Sequence, residues 1–230
     1  MTSEPKSVSA APERSRSTSI MVAVVAATLL VGLLAGFWAR GMVVTDTSEP
    51  ALDVVDVGFA QDMATHHDQA VEMSAMALTQ AVDPEVRTLA FDVLTSQQSQ
   101  LGMMRGWLML WDRPVASEQP MLWMSTPDAH TPGSAHQMPE QKSMRMPGMA
   151  TTEELADLRR TRGTDFDTRY LQLLLRHHEG GVTMARTARD NATIPAVAAL
   201  AKQIDNAQTA ESRTLRDMLA QRGAPALPMN

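Results

Sequence analysis

Two stretches of this chain set paired histidines in otherwise apolar surroundings. They are FAQDMATHHDQAVEMSAMA at 59–77 and YLQLLLRHHEGGVTMARTA at 170–188. Imidazole carries protons near neutral pH and is a common nitrogen ligand for metals. Each doublet is followed on the same stretch by methionine, whose thioether is a soft ligand. Read at alternating steps of four and three, one helical seam runs Phe59, Met63, His66, Ala70, Met73, Ala77. The other runs Tyr170, Leu174, His177, Gly181, Met184, Ala188. Both seams are apolar apart from the histidine, so His66 and His177 are expected to point into a core. His67 and His178 fall about 100° further round the helix and are expected at the edge of the seam.

A single histidine on an apolar helix face is ordinarily a core residue with a backbone or water partner, and a methionine there is ordinarily packing. Here the His-to-Met separation recurs in both stretches. If the seams face each other, one pocket receives two imidazoles and two thioethers, His66, Met73, His177 and Met184. Burying two polar rings without partners is costly, and a shared ligand removes that cost. Neutral nitrogen and sulfur donors select copper, above all Cu(I), over magnesium, calcium or manganese. Zinc favours thiolate or carboxylate, and the chain has no cysteine. A di-iron bundle needs Glu-x-x-His, but the residues three before the histidines are Met63, Ala64, Leu174 and Leu175. A blue-copper centre needs a cysteine, and no proton-transfer constellation accompanies the histidines. The chain therefore reads as a binding protein and not an enzyme. The rival reading is a structural or partner-binding bundle whose His–Met seam is packing.

The elements that carry these residues repeat. A shift of 111 residues lays Asp56 on Asp167, Gln61 on Gln172, both histidine doublets on each other, Pro84 on Pro195, Gln97 on Gln208 and Arg105 on Arg216. One ungapped register over that length is an internal duplication. Each half reads as a helical hairpin. The first helix starts near Asp53 or Asp56 and runs to about Gln80. Asp83 caps the second, with Pro84 at its first position, and it ends near Trp111. In the other half Thr164 or Asp165 is expected to cap a helix reaching Asn191, and a second runs from Pro195 to a stop at Gly223. Thr151 and Glu154 have capping-box spacing for a short helix that Gly163 ends. Two hairpins burying their seams give an all-α four-helix bundle over 53–222. The connecting segment 112–150 carries Met121, Met124, Met138, Met144, Met146 and Met149 with His130 and His136, among prolines and glycines. It is either a loop that covers the bundle or an arm that catches copper; Met144, Met146, Met149 and the seam residue Met63 are further candidate ligands.

Composition sets the surroundings. A net charge of −6 argues against nucleic acid. The run IMVAVVAATLLVGLLAGFWA at 20–39 holds no charge, and its length matches a hydrocarbon core of about 30 Å. Lys6, Arg14 and Arg16 precede it, which predicts a cytoplasmic N-terminus. Residues 1–19 are expected to be a disordered cytoplasmic tail, 20–39 an uncleaved single-pass anchor, and the rest to lie outside the cytoplasm. A cleaved signal peptide is the alternative. Apolar surface left over on the bundle would allow a homo-oligomer.

The stretches MPGMATTEEL, FDTRYLQLLLRHHEGGVTMA, FAQDMATHHDQAVEMSAMA and QQSQLGMMRGWL resemble the bacterial domain of unknown function 305 family over about 53–222. The resemblance implies a ferritin-like four-helix fold. It also implies, through CopM-type copper-binding members, metal binding at His66, His67, Met73, His177, His178 and Met184. Two positions depart from the family pattern, Leu174 in place of Met and Gln100 in place of Glu.

Overall fold

The computed structural model describes residues 14–43, 52–125 and 146–230, with the side chains of 20–38 in its first helix. The described residues are all helical apart from turns and connections. They form α1 (Arg14–Val43), α2 (Val54–Gln80), α3 (Pro84–Leu110), α4 (Thr152–Arg160), α5 (Gly163–Asn191) and α6 (Pro195–Gln221), with a 3-10 turn at Leu122–Met124. Two compact units divide at residue 49. In the first, Ile20–Trp38 is apolar and long enough to cross a membrane. Helix α1 begins at Arg14, so 14–19 are helical where a disordered tail is expected. The apolar run that follows already supplies the costly helical nucleus, and adding residues to it is cheap. The rest of the expected tail, residues 1–13, lies outside the described residues.

The second unit is the bundle. Helix α2 pairs with α3, α5 with α6, and the two hairpins meet through α2 and α5. Partners 56 with 194, 66 with 177 and 83 with 167 show that α2 and α5 run antiparallel. Helix ends Gln80 and Asn191, starts Pro84 and Pro195, and ends Leu110 and Gln221 are each 111 residues apart. The apolar core falls into two clusters. One contains Met73, Val86, Phe166, Tyr170, Leu174 and Leu215. The other contains Phe59, Met63, Met104, Met184, Val197 and Ile204.

The caps fix where the helices start. Asp53 and Asp56 form a capping box on α2, and Thr151 and Glu154 form one on α4. Asp83 accepts from the Glu85 amide, with Pro84 in the first turn. The start of α5 differs from expectation. Its N-cap is Arg162, which makes no side-chain cap, and neither Thr164 nor Asp165 holds that place. Helix α4 stops at Arg160, and Gly163, with φ of 66°, is the left-handed residue that turns the chain into α5.

Two aspartates tie the halves together. Asp56 accepts from Thr193 Oγ1 (2.5 Å) and the Ile194 amide (3.0 Å), at the start of α6. Its 111-shift counterpart Asp167 accepts from the amides of Val82 (3.1 Å) and Asp83 (2.9 Å), at the start of α3. Each hairpin thus holds the other's second helix by amides that would otherwise be orphaned. Asp167→Ala is expected to cost about 1–3 kcal/mol, read as a lowered urea midpoint with an unchanged slope. An unchanged midpoint would show that water serves those amides equally well.

Candidate metal centre

Between the two apolar clusters lies a polar layer. His66, His67, His177 and His178 are all fully buried, with Gln97, Gln100, Gln208 and Ser212 buried beside them. His66 and His177 meet where α2 and α5 cross, with ring centroids 3.7 Å apart and planes tilted by 34°. His67 and His178, expected at the seam's edge, are as buried as the other two. The second helix of each hairpin covers that edge: Gln100 of α3 reaches His67 and Glu211 of α6 reaches His178.

The ring partners fix the protons. His66 Nε2 lies 3.2 Å from the Pro147 carbonyl, and His177 Nε2 lies 2.9 Å from the His66 carbonyl. His178 Nε2 lies 2.6 Å from Glu211 Oε2. A carbonyl or carboxylate oxygen only accepts, so these three rings carry their proton on Nε2. His67 Nε2 faces Gln100 Oε1 at 2.7 Å in the same manner. None of the four buried Nδ1 atoms has a partner, and a neutral ring protonated on Nε2 keeps its lone pair there. Burial, then the neighbouring His67, holds His66 down to about pKa 3. Burial brings His67 to about 4 against the opposing bond from Gln100. Burial, then His66 and His178, takes His177 well below its ordinary 6.5. These three rings are neutral at physiological pH, the form in which imidazole binds metals.

A strap closes one side of the layer. Gly148 has φ of 79° and sits so close to α5 that a Cβ would lie 2.3 Å from the Arg176 carbonyl. A Cβ on Gly180 would lie 2.1 Å from the Pro147 carbonyl. The two backbones touch because neither residue has a side chain. The strap is pinned by the Gln69 amide to Ala150 (2.6 and 2.9 Å) and by Arg176 to Glu154 (2.5 Å). Gly180→Ala must push Pro147 away. It is expected to cost roughly 1–3 kcal/mol and to expose His66, which faster hydrogen exchange at 64–68 would report. Unchanged exchange and stability would mean that the strap yields freely.

The methionines go elsewhere. Because α2 and α5 are antiparallel, seven residues onward from each histidine leads in opposite directions. Met73 lies in one apolar cluster and Met184 in the other, so no single pocket receives both thioethers. Met63 and Met121 are buried in Met184's cluster, and Met124 and Met146 pack against it. Met149 is half-buried. Met138, Met144, His130 and His136 lie outside the described residues. The described ends of 112–150 therefore cover the bundle: Asp62 takes the Met121 amide (2.6 Å) and Trp123 Nε1 (2.8 Å). The gap left by Gly181 is filled too, since a Cβ there would lie 2.3 Å from Gln208 Oε1 and 3.1 Å from His66 Cε1. Gln97 and Gln208, equivalent under the 111 shift, are buried with both amide atoms unpartnered. Sequence reading missed them as site residues. Their signal was a buried-phase glutamine recurring in both halves.

The profile described as "Domain of unknown function (DUF305)" matches residues 56–219. The chain belongs to the DUF305 family. It is similar to a DUF305 protein from Streptomyces coelicolor, with 40% identity, a TM-score of 0.66, and coverage of 76% of this chain and 97% of that one. A DUF305 fragment from Deinococcus radiodurans is 31% identical, with a TM-score of 0.59 over 75% and 99% of the two chains. CopM, solved in a Cu(II)-bound form, is 25% identical, with a TM-score of 0.53 over 72% and 96%. No curated protein matches.

The donor set of this DUF305 bundle fits a soft metal in type: four unpartnered Nδ1 atoms, their rings anchored through Nε2–H to oxygen as metal-bound histidines are. Among the described residues no three His, Cys, Asp or Glu side chains converge as a metal would require.

Proposed function

We propose that the bundle binds copper as cargo, for sequestration or transfer, and does so without turnover. The observation that carries this reading is the layer of four fully buried imidazoles, each with an unpartnered Nδ1. Similarity to CopM supports it. The packing alternative leaves four ring nitrogens and two glutamine amides buried without partners, and each costs on the order of 1–3 kcal/mol. A bound ion relieves the ring nitrogens. Full-length protein in detergent, loaded with Cu(I) under reductant and desalted, is expected to retain close to one equivalent. Retention of only a trace would leave packing as the account of the histidines.

We also propose that Ile20–Trp38 is an uncleaved anchor, with the bundle outside the cytoplasm. Its length, its lack of charge and the preceding Lys6, Arg14 and Arg16 support this. Alkaline carbonate washing is expected to leave the protein in the membrane pellet. A soluble mature form beginning after residue 38 would identify a cleaved signal instead.

A further inference from the structure

The 111 shift that equates His67 with His178 also equates their partners, Gln100 and Glu211. The contacts are alike, 2.7 and 2.6 Å from Nε2. One partner is a neutral amide and the other a carboxylate. We propose that Glu211 determines which cation charge the layer accepts: its single carboxylate matches a soft monovalent ion and disfavours a divalent one. This inference rests on the copper-binding reading above and deepens it.

The neighbouring acids do not supply that charge. Asp68 is paired with Arg105 at 2.5 Å, and its counterpart Glu179 with Arg216 at 2.6 Å. Glu154 is paired with Arg176, and Asp205 with Arg186 and Arg189. Asp62 is turned onto the loop at Met121 and Trp123. Glu211 contacts a histidine ring instead, and its side chain is 24% exposed. A cation entering this buried layer loses its hydration shell, a cost that rises steeply with charge unless a counter-charge is near. Glu211 supplies one negative charge through the His178 ring. With a +1 ion the added charge is matched by that carboxylate. With a +2 ion one positive charge stays buried and uncompensated. Glu211 is thus a positioning residue acting through His178, and Gln100 is its silent twin.

The test uses full-length protein in detergent, titrated with Cu(I) and separately with Zn(II) against chromophoric chelators. Three variants are compared: Glu211→Gln, Gln100→Glu and the two combined. Glu211→Gln is near-isosteric and copies what position 100 already tolerates. It is expected to weaken Cu(I) binding by about tenfold or more. Gln100→Glu is expected to move the Zn(II)-to-Cu(I) affinity ratio about tenfold or more toward zinc. The combined swap moves the carboxylate to the other half and is expected to restore Cu(I) affinity to within a few-fold of the parent. A purely structural role for Glu211 would not give that rescue or shift the ratio. If the parent binds Cu(I) and Glu211→Gln binds it equally well, the inference fails alone. A folded swap variant that stays weak also overturns it. If the parent retains no Cu(I), the copper reading fails and takes this inference with it.

Discussion

Replacing His66 and His177 together with alanine is expected to abolish the tight Cu(I) equivalent. These two rings meet at the α2–α5 crossing, and their Nδ1 atoms lack partners. Loss of a residue that merely orients a metal-bound histidine costs roughly 10–100-fold in affinity. Loss of two ligands should exceed that, so a competing chelator should strip the variant fully. Met73→Leu with Met184→Leu gives the contrast. These thioethers lie in separate apolar clusters, and leucine keeps their volume, so affinity should change little. Leucine at the methionines of 112–150 should lower only total capacity or uptake rate, because Met121, Met124 and Met146 among them pack in or against an apolar cluster. Circular dichroism on each apo variant separates lost ligation from lost folding. If the double histidine variant keeps the tight equivalent while the 112–150 variant loses it, the chemistry belongs to the connecting segment and the doublets are packing.

Acidification is expected to unfold the bundle well above the range where ordinary carboxylates titrate. His66 and His67 are held at about pKa 3 and 4, and His177 well below 6.5, in each case first by burial. In the unfolded chain all three return to about 6.5. Below that pH the unfolded state binds protons that the folded state refuses. Stability is therefore fully present above about pH 6.5 and falls as pH drops toward 4. Each histidine contributes a slope of about 1.4 kcal/mol per pH unit. Three together remove roughly 6 kcal/mol between pH 7 and 5, comparable to the whole stability of a typical domain. Urea midpoints measured every half unit across that window would show a steep fall. A flat profile from pH 7 to 4.5 would mean that the rings reach water or ionise in place. The expected copper retention should fall in the same window, because the site is lost with the fold and protons compete for the released imidazoles.

Local rules were enough for the helices. The 3.6-residue seams, Asp83 with Pro84, Pro195, Thr151 with Glu154, and Gly223 all mark starts and stops by backbone chemistry that acts within a few residues. The 111-residue register, also a property of the string, equated the two doublets. That His66 and His177 face inward followed from the same periodicity. The N-cap of α5 did not follow, because two plausible capping side chains, Thr164 and Asp165, lost to a glycine turn set by how α4 meets α5.

What the string could not decide is direction and cover. Two equivalent seams place histidine and methionine at one spacing, but only the antiparallel crossing sends Met73 and Met184 to opposite clusters while bringing His66 onto His177. Likewise, a residue at the edge of one helix's seam is buried or exposed according to what packs beside it. Gln100 and Glu211 come from the second helix of each hairpin and close over His67 and His178. Periodicity reports the face of a single helix. Which donors share a point in space depends on the relative direction and rotation of two helices, and that is fixed by the packing of all four.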